Sequence, residues 1–308
     1  MVGEKLDPRK EFGKAVTELA ELNSDIVILS ADSGGSSGFG EFAKEHPERY
    51  FEFGIMEQGV MGIASGLATT GKIPVFCAIA PFVTVRPYEM FRNDLGYMKQ
   101  NAKIVGRNSG LTYSDLGATH HSLEDYAIMR MIPGVVVLAP QDPVEIRYAV
   151  KAMLEHDGPV YMRIGNAAQP VLFEEKPFII GKGTVLKEGE DITIISTGSI
   201  TAEVLKAAVL LEEQGCNPHI IGMPTVCPID EEIIVEAANR TGKIVTVEEH
   251  YLQGGLGTMV AEVCAAKSPV PVKMLGVPKV YAASGPYDEL MALYGLDAKG
   301  IADAVLKA

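Results

Sequence analysis

Apolar residues in this chain form short unbroken runs that alternate with stretches of helical spacing. Behind Asp7, a capping residue, and Pro8, suited to a first helical position, Phe12, Ala15, Val16, Leu19 and Ala20 recur at helical intervals and predict a helix ending near Asn23. The run Ile26-Val27-Ile28-Leu29 lacks polar alternation, so it predicts a buried strand. It opens into the loop Asp32-Ser33-Gly34-Gly35-Ser36-Ser37-Gly38. The alternation continues with a strand at Arg49 to Phe53, a helix at Glu57 to Thr70 closed by Gly71, a strand at Ile73 to Ile79 and a helix at Tyr88 to Met98. Strands at Lys103 to Val105, Val135 to Leu138 and Val160 to Arg163 follow, the last two separated by a helix that Asp142-Pro143 opens.

Periodicity lapses between Gln169 and Gly183, where Pro170, Glu174, Glu175, Lys176, Pro177, Gly181 and Gly183 read as a connector. Strands at Ile192 to Ser196, His219 to Gly222, Ile244 to Val247 and Val272 to Leu275 then alternate with helices at Ile200 to Gln214, Asp230 to Asn239 and Gly257 to Ala266. A last helix opens at Asp297. Strands alternating with helices imply βαβ units and a mostly parallel sheet. The expected fold is α/β: two α/β/α layered domains over 1–170 and 184–308, the second smaller, with a linker over 171–183.

Composition narrows the function. With 308 residues, 47% hydrophobic and 22% charged, the chain is globular and long enough for roughly two cores. Its 27 basic against 40 acidic residues leave a net charge of −13, which argues against sequence-independent binding to nucleic acid or an anionic membrane. An anionic ligand must therefore be held by a few local arginines or helix N-termini. The four cysteines, Cys77, Cys216, Cys227 and Cys264, form no C-x-x-C pair, so neither a disulfide framework nor a zinc knuckle is indicated. Residues 1–12 are rich in charge where a signal peptide needs an apolar core, and no apolar run approaches about 18 residues, so the chain reads as cytoplasmic.

Two glycine-rich stretches are poor nucleotide motifs. Gly35 to Gly40 runs G-x-x-G-x-G, the reverse of the dinucleotide order, and Gly254-Gly255-Leu256-Gly257 lies six residues beyond its strand. Glu57 and Gln58 are the only polar side chains at an apolar, glycine-bearing helix start, Phe53-Gly54-Ile55-Met56-Glu57-Gln58-Gly59. By itself that places Glu57 either as a complement to the helix dipole or as a buried carboxylate able to share a proton with a ligand. The loop Asp115-Leu116-Gly117-Ala118-Thr119-His120-His121 holds two adjacent histidines, whose divergent directions do not suit a zinc site. Arg9, Arg86, Arg92 and Arg163 read by default as surface charges, though Arg163 ends a strand, where α/β sites form.

Together, Phe53-Gly54-Ile55-Met56-Glu57-Gln58, Pro81-Phe82-Val83-Thr84-Val85-Arg86-Pro87-Tyr88, Gly117-Ala118-Thr119-His120-His121 and Val247-Glu248-Glu249-His250 with Gly254-Gly255-Leu256-Gly257 resemble the C-terminal half of transketolase, a thiamine-diphosphate enzyme. The form resembled is a separate short subunit, and the similarity covers nearly the whole chain. It implies a pyrimidine-binding domain up to about residue 170, followed by the family's C-terminal domain. Glu57 matches the glutamate that hydrogen-bonds the cofactor's aminopyrimidine. Phe82 and Tyr88 match its aromatic wall, and Asp32 lies near its amino group. His120 matches a residue that contacts sugar hydroxyls, while Arg9, Ser36 and Arg163 match positions that bind the acceptor's phosphate.

The sequence departs from the family where Val85 replaces an aromatic, where no histidine lies between His46 and His120, and where the loop before His120 is one residue longer. It also holds no Gly-Asp-Gly followed by Asn, the pattern that binds metal and diphosphate in this superfamily. The resemblance thus implies that thiamine diphosphate and Mg²⁺ (or Ca²⁺) are held mainly by an N-terminal, diphosphate-binding partner subunit, in an α2β2 heterotetramer acting on phosphorylated sugars. Competing readings are a 2-oxoacid dehydrogenase E1 beta-type chain, a deoxyxylulose-phosphate-synthase-like chain, and a catalytically silent partner that kept the fold.

Overall fold

A computed structural model describes residues 3–166 and 168–308. Its strands are β1 (Lys5–Leu6), β2 (Ile26–Ser30), β3 (Tyr50–Glu52), β4 (Ile73–Ile79), β5 (Lys103–Arg107), β6 (Val136–Leu138), β7 (Val160–Arg163), β8 (Gln169–Pro170), β9 (Thr184–Lys187), β10 (Ile192–Ser196), β11 (Pro218–Gly222), β12 (Thr225–Cys227), β13 (Ile244–Tyr251) and β14 (Val272–Val277). A seven-stranded sheet runs in the order β12-β6-β7-β5-β4-β2-β3, and a five-stranded sheet in the order β14-β13-β10-β11-β9. All pairings in the first are parallel except β12 with β6, and in the second all except β9 with β11.

The unbroken apolar runs have a direct physical reading, because both faces of the first sheet are covered. Along β4, Val75 and Cys77 enter one core with Phe12, Val16, Ile146 and Met153, from helices Pro8–Leu22 and Pro143–Glu155. Phe76 and Ala78 enter the opposite core with Val60, Met61 and Phe91. Helix starts follow the cap residues: Asp7, Asp142, Asp230 and Asp297 each accept a first-turn N–H.

Several elements differ from the sequence expectation. The helix expected over Tyr88 to Met98 is a short α-turn, Tyr88–Met90, that widens into a π-helix over Phe91–Tyr97. There Gly96 is pressed against the Ile132 side chain, leaving no room for a Cβ. Strands β1, β8, β9 and β12 and the helix Tyr287–Leu293 carry no periodic signal long enough to read. Residues 171–183 hold neither helix nor strand. Beyond them, β12 returns to pair antiparallel with β6, so the first sheet takes an edge strand from the far side of the connector.

This topology positions the site. The chain leaves β2 to one side for β3 and returns on the other for β4, a switch point at which α/β proteins bind ligands beyond the carboxyl ends of their strands. The segments after β2, β4 and β5 carry Asp32, Phe82 and His120 respectively, and Arg163 is the last residue of β7. No helix among the described residues is long and apolar enough to cross a membrane.

Candidate active site

Glu57 is the first residue of the helix Glu57–Ala68, reached through Gly54 at φ 68°, and is only 4% exposed. The Arg86 Nη1 donates to its Oε1 at 2.7 Å, and Gln58 Nε2 donates to the Arg86 carbonyl at 3.1 Å. The turn after β4 is thus fastened to the helix start twice. The Arg86 guanidinium also lies 3.9 Å over the half-buried ring of Phe82. Phe82 in turn meets the His120 ring edge-on, with centroids 5.2 Å apart. Tyr113 also meets the His120 ring edge-on, with centroids 5.4 Å apart. The Thr119 hydroxyl engages His120 Nδ1 at 2.9 Å, and Nε2 has no protein partner among the described residues.

Three distant segments therefore converge on one cluster of a buried carboxylate, an aromatic face and a histidine. The planar guanidinium donates an N–H to Glu57 while stacking on Phe82, which demonstrates that a flat, N–H-bearing cationic group fits between them. An aminopyrimidine, flat and with ring and exocyclic nitrogens able to hydrogen-bond a carboxyl, shares that shape with the guanidinium although it carries no charge until protonated.

The other expected site residues are placed differently. Asp32 is exposed in a left-handed backbone conformation at φ 55°. Its N–H donates to Glu52 Oε1 at 2.7 Å, and Gly54 N–H donates to the same oxygen at 2.9 Å, so Glu52 joins the β2 loop to the approach of Glu57. These donors and the Ser30 hydroxyl hold the Glu52 carboxyl below its ordinary range against the effect of burial. Ser36 is exposed and donates to the Ser33 carbonyl at 3.0 Å, while Arg9 pairs with Asp7 at 2.9 Å. Among the described residues neither hydrogen-bonds Glu57 or His120, though Arg9 lies near enough to Tyr113 to interact with it electrostatically. The Tyr88 hydroxyl donates to the Ile128 carbonyl at 2.9 Å and its ring packs against the second core.

Arg163 requires a correction. It is only 5% exposed, Nη1 donates to Asp125 Oδ1 at 2.9 Å and Nη2 to the Glu249 carbonyl at 3.1 Å, and the guanidinium lies 4.4 Å over the Tyr126 ring. Burial opposes its charge, but Asp125 outweighs that and holds the guanidinium above its ordinary value. Arg163 is a buried clasp between the two sheets instead of a free phosphate ligand. The reason is its partners: Asp125 from a helix start and Glu249 from β13, each remote in sequence.

Three carboxylates to which the sequence assigned no role, Asp125, Glu248 and Glu249, also lie in this seam. Asp125 accepts from the Tyr161 hydroxyl at 2.8 Å, and Glu249 accepts from the Tyr287 hydroxyl at 3.0 Å. Glu248 accepts from Leu256 N–H at 2.7 Å and Gly257 N–H at 2.8 Å at the start of the helix Leu256–Lys267, and burial pushes its carboxyl up to about 7. The sequence named Arg86, Glu248 and Glu249 within the family motifs without giving them a site role, although each carried a signal. Arg86 is the only charged residue between Ile73 and Tyr88, and Glu248 and Glu249 interrupt an otherwise apolar run.

Known proteins resemble this chain along nearly its whole length. Residues 4–169 match the family "Transketolase, pyrimidine binding domain", and residues 181–301 match "Transketolase, C-terminal domain". The chain is 40% identical over 301 residues to an apulose-4-phosphate transketolase subunit of Phocaeicola vulgatus, covering 97% of this chain and 96% of that protein. It is 42% identical over 304 residues to a putative transketolase C-terminal section of Methanocaldococcus jannaschii, covering 97% and 95%. A solved structure described as a split gene transketolase, inactive β4 tetramer, superposes with a TM-score of 0.92 at 43% identity, covering 98% of each chain.

Proposed function

The chain belongs to the transketolase family as a separate C-terminal subunit, and from that premise we propose how its residues serve the reaction. The subunit is the pyrimidine-binding half of a thiamine-diphosphate-dependent transferase that moves a two-carbon ketol unit from a ketose phosphate to an aldose phosphate. The observation that carries this reading is the convergence of Glu57, Phe82 and His120, with Arg86 as a planar stand-in between the first two.

Thiamine diphosphate supplies, when bound, the nucleophilic carbon that takes up the ketol unit and hands it on. Glu57, which is almost fully buried, would hold a proton at a pyrimidine nitrogen of the cofactor. Phe82 packs a flat apolar face against the ring. His120, with Nε2 free of protein partners among the described residues, binds and orients the sugar's hydroxyls or moves a proton between them. Asp32 lies at the rim of the cofactor position, and Arg9 and Ser36 are the remaining candidates for the acceptor's phosphate.

A diphosphate-binding N-terminal subunit supplies the metal site, because this sequence has no Gly-Asp-Gly followed by Asn. An α2β2 assembly would set each cofactor at the seam between the two kinds of chain. The relative described as an inactive β4 tetramer supports a subunit that is silent without its partner. The Phocaeicola relative, named for apulose 4-phosphate, supports a phosphorylated sugar as substrate.

Calorimetric titration of the pure chain with thiamine diphosphate and Mg²⁺ tests the division of the site. No micromolar binding is expected from the isolated chain, and ketol transfer is expected once a co-expressed Gly-Asp-Gly…Asn chain is present. Tight, Mg²⁺-dependent binding by this chain alone would sink the split-site reading.

A further inference from the structure

We infer that Glu249 is a positioning residue for the segment that carries His120, so that the second sheet acts on the active site through that segment. The inference rests on the reading of His120 as the sugar-facing histidine. Residues 109–123 leave β5 as a loop with only a 3₁₀ stretch, Ser114–Thr119, interrupted at Gly117. The segment closes on itself at the Gly110–Ser122 bridge and through single-turn bonds, but it has no regular ladder, so its position also depends on anchors outside it.

Besides Phe82 and the Ile164 carbonyl, several of those anchors come from the second sheet and the segment that follows it. Leu111 N–H donates to the Glu249 carboxylate in a short hydrogen bond, and Gly285 N–H donates to the Ser114 carbonyl at 3.4 Å. Tyr251 N–H donates to the Leu123 carbonyl at 2.8 Å, and Ser284 fills the space where a Cβ on Gly117 would stand. Among these ties, only the one at Leu111 uses an ionisable side chain. Glu249 is 3% exposed, and both its oxygens are engaged: Oε2 accepts from Tyr287 at 3.0 Å and from Ser199 at 3.5 Å. Arg163 holds its carbonyl and is itself held by Asp125. Burial pushes the Glu249 carboxyl up, while Arg163, the Leu111 N–H and the Tyr287 hydroxyl pull the other way. Gly110, at φ 62°, leaves no room for a Cβ beside the same carboxylate, so loop and carboxylate are fitted to each other.

The route from Glu249 to the site is short. Leu111 is fully buried, and Tyr113, two residues on, sets its ring edge-on against His120 at 5.4 Å. Removing the carboxylate leaves the Leu111 N–H buried without a partner, and the loop then shifts to satisfy it. A displacement of about 1 Å at a reacting group is enough to cost roughly 100-fold in rate.

The test uses the full chain and the two-subunit enzyme. In protein carrying ¹³C-labelled histidine, the His120 ring signal, assigned by its loss in His120→Gln, reports the ring currents of Phe82 and Tyr113. Glu249→Ala should move or broaden that signal and lower kcat roughly 10- to 100-fold with KM within about threefold. Glu249→Gln keeps an acceptor for Leu111 and should restore most of both. If Glu249→Ala does not fold, Tyr287→Phe, which loosens the carboxylate, decides on the same two readouts. An unchanged His120 signal and unchanged kcat in the folded variant would overturn the inference. A shifted signal in Glu249→Ala combined with full activity in His120→Gln would leave the positioning intact and defeat instead the assignment of His120.

Discussion

Arg86 satisfies two residues of the active site at once, donating to Glu57 Oε1 at 2.7 Å while its guanidinium carbon stands 3.9 Å from the Phe82 ring centroid. The pair is asymmetric: Glu57 is 4% exposed and the Arg86 side chain 39%. A half-exposed cation on a buried carboxylate can be exchanged for another group that offers the same N–H and the same flat face.

Arg86 should therefore matter to the stability of the subunit before the cofactor arrives. Arg86→Met is expected to lower the unfolding free energy by about 1–2 kcal/mol, the range for a charge-assisted hydrogen bond discounted for partial exposure. A double-mutant cycle with Glu57→Gln, read by urea denaturation, should give a coupling of about 1 kcal/mol. Additive effects would mean that the pair contributes nothing.

Glu57→Gln should leave the fold intact and reduce turnover of the assembled enzyme by about 100- to 10,000-fold, since a carboxamide of nearly the same shape cannot supply a proton. Circular dichroism of the variant, paired with steady-state kinetics, separates the two effects. Near-wild-type kcat would remove Glu57 from the proton exchange.

For Arg163→Ala the buried geometry redirects the expectation raised by its place at a strand end. Removing the cation strands Asp125, which is fully buried, and the loss should be about 3–5 kcal/mol of stability. Any activity that survives should fall equally with glyceraldehyde 3-phosphate and with glyceraldehyde. A selective loss on the phosphorylated acceptor would return Arg163 to the role of phosphate ligand.

Stability should also carry the signature of buried Glu145, whose carboxyl burial pushes up to about 7 from an ordinary 4.5 despite the bonds it accepts from Gln141. The folded chain then holds this proton more tightly than the unfolded chain. Glu145 stabilises fully below pH 4.5, and that contribution is lost as pH rises toward 7. Glu145→Gln should gain stability relative to the wild type across that window, by a few kcal/mol in all. Urea midpoints measured at pH 5 and pH 7.5 on both proteins would reveal it, and parallel pH profiles would contradict it.

What the sequence determined by itself was local or periodic. Unbroken runs such as Ile73 to Ile79 announced strands covered on both faces, and Asp-capped starts at Asp7, Asp142, Asp230 and Asp297 announced helices, because one-dimensional spacing encodes burial and capping directly. Glu57 and His120 stood out as polar residues in motif-bearing segments of apolar or glycine-rich character. Short edge pieces such as Thr225–Cys227 were invisible, since three residues carry no period, and their pairing with β6 depends on a chain segment almost ninety residues away. Only the tertiary structure could decide which charge meets which. Arg86 and Arg163 look alike in sequence, yet one lies over Phe82 at the open edge and the other is enclosed by Asp125 and Glu249. A buried ion takes its role from the partners that replace its water, and packing between distant segments assigns those partners.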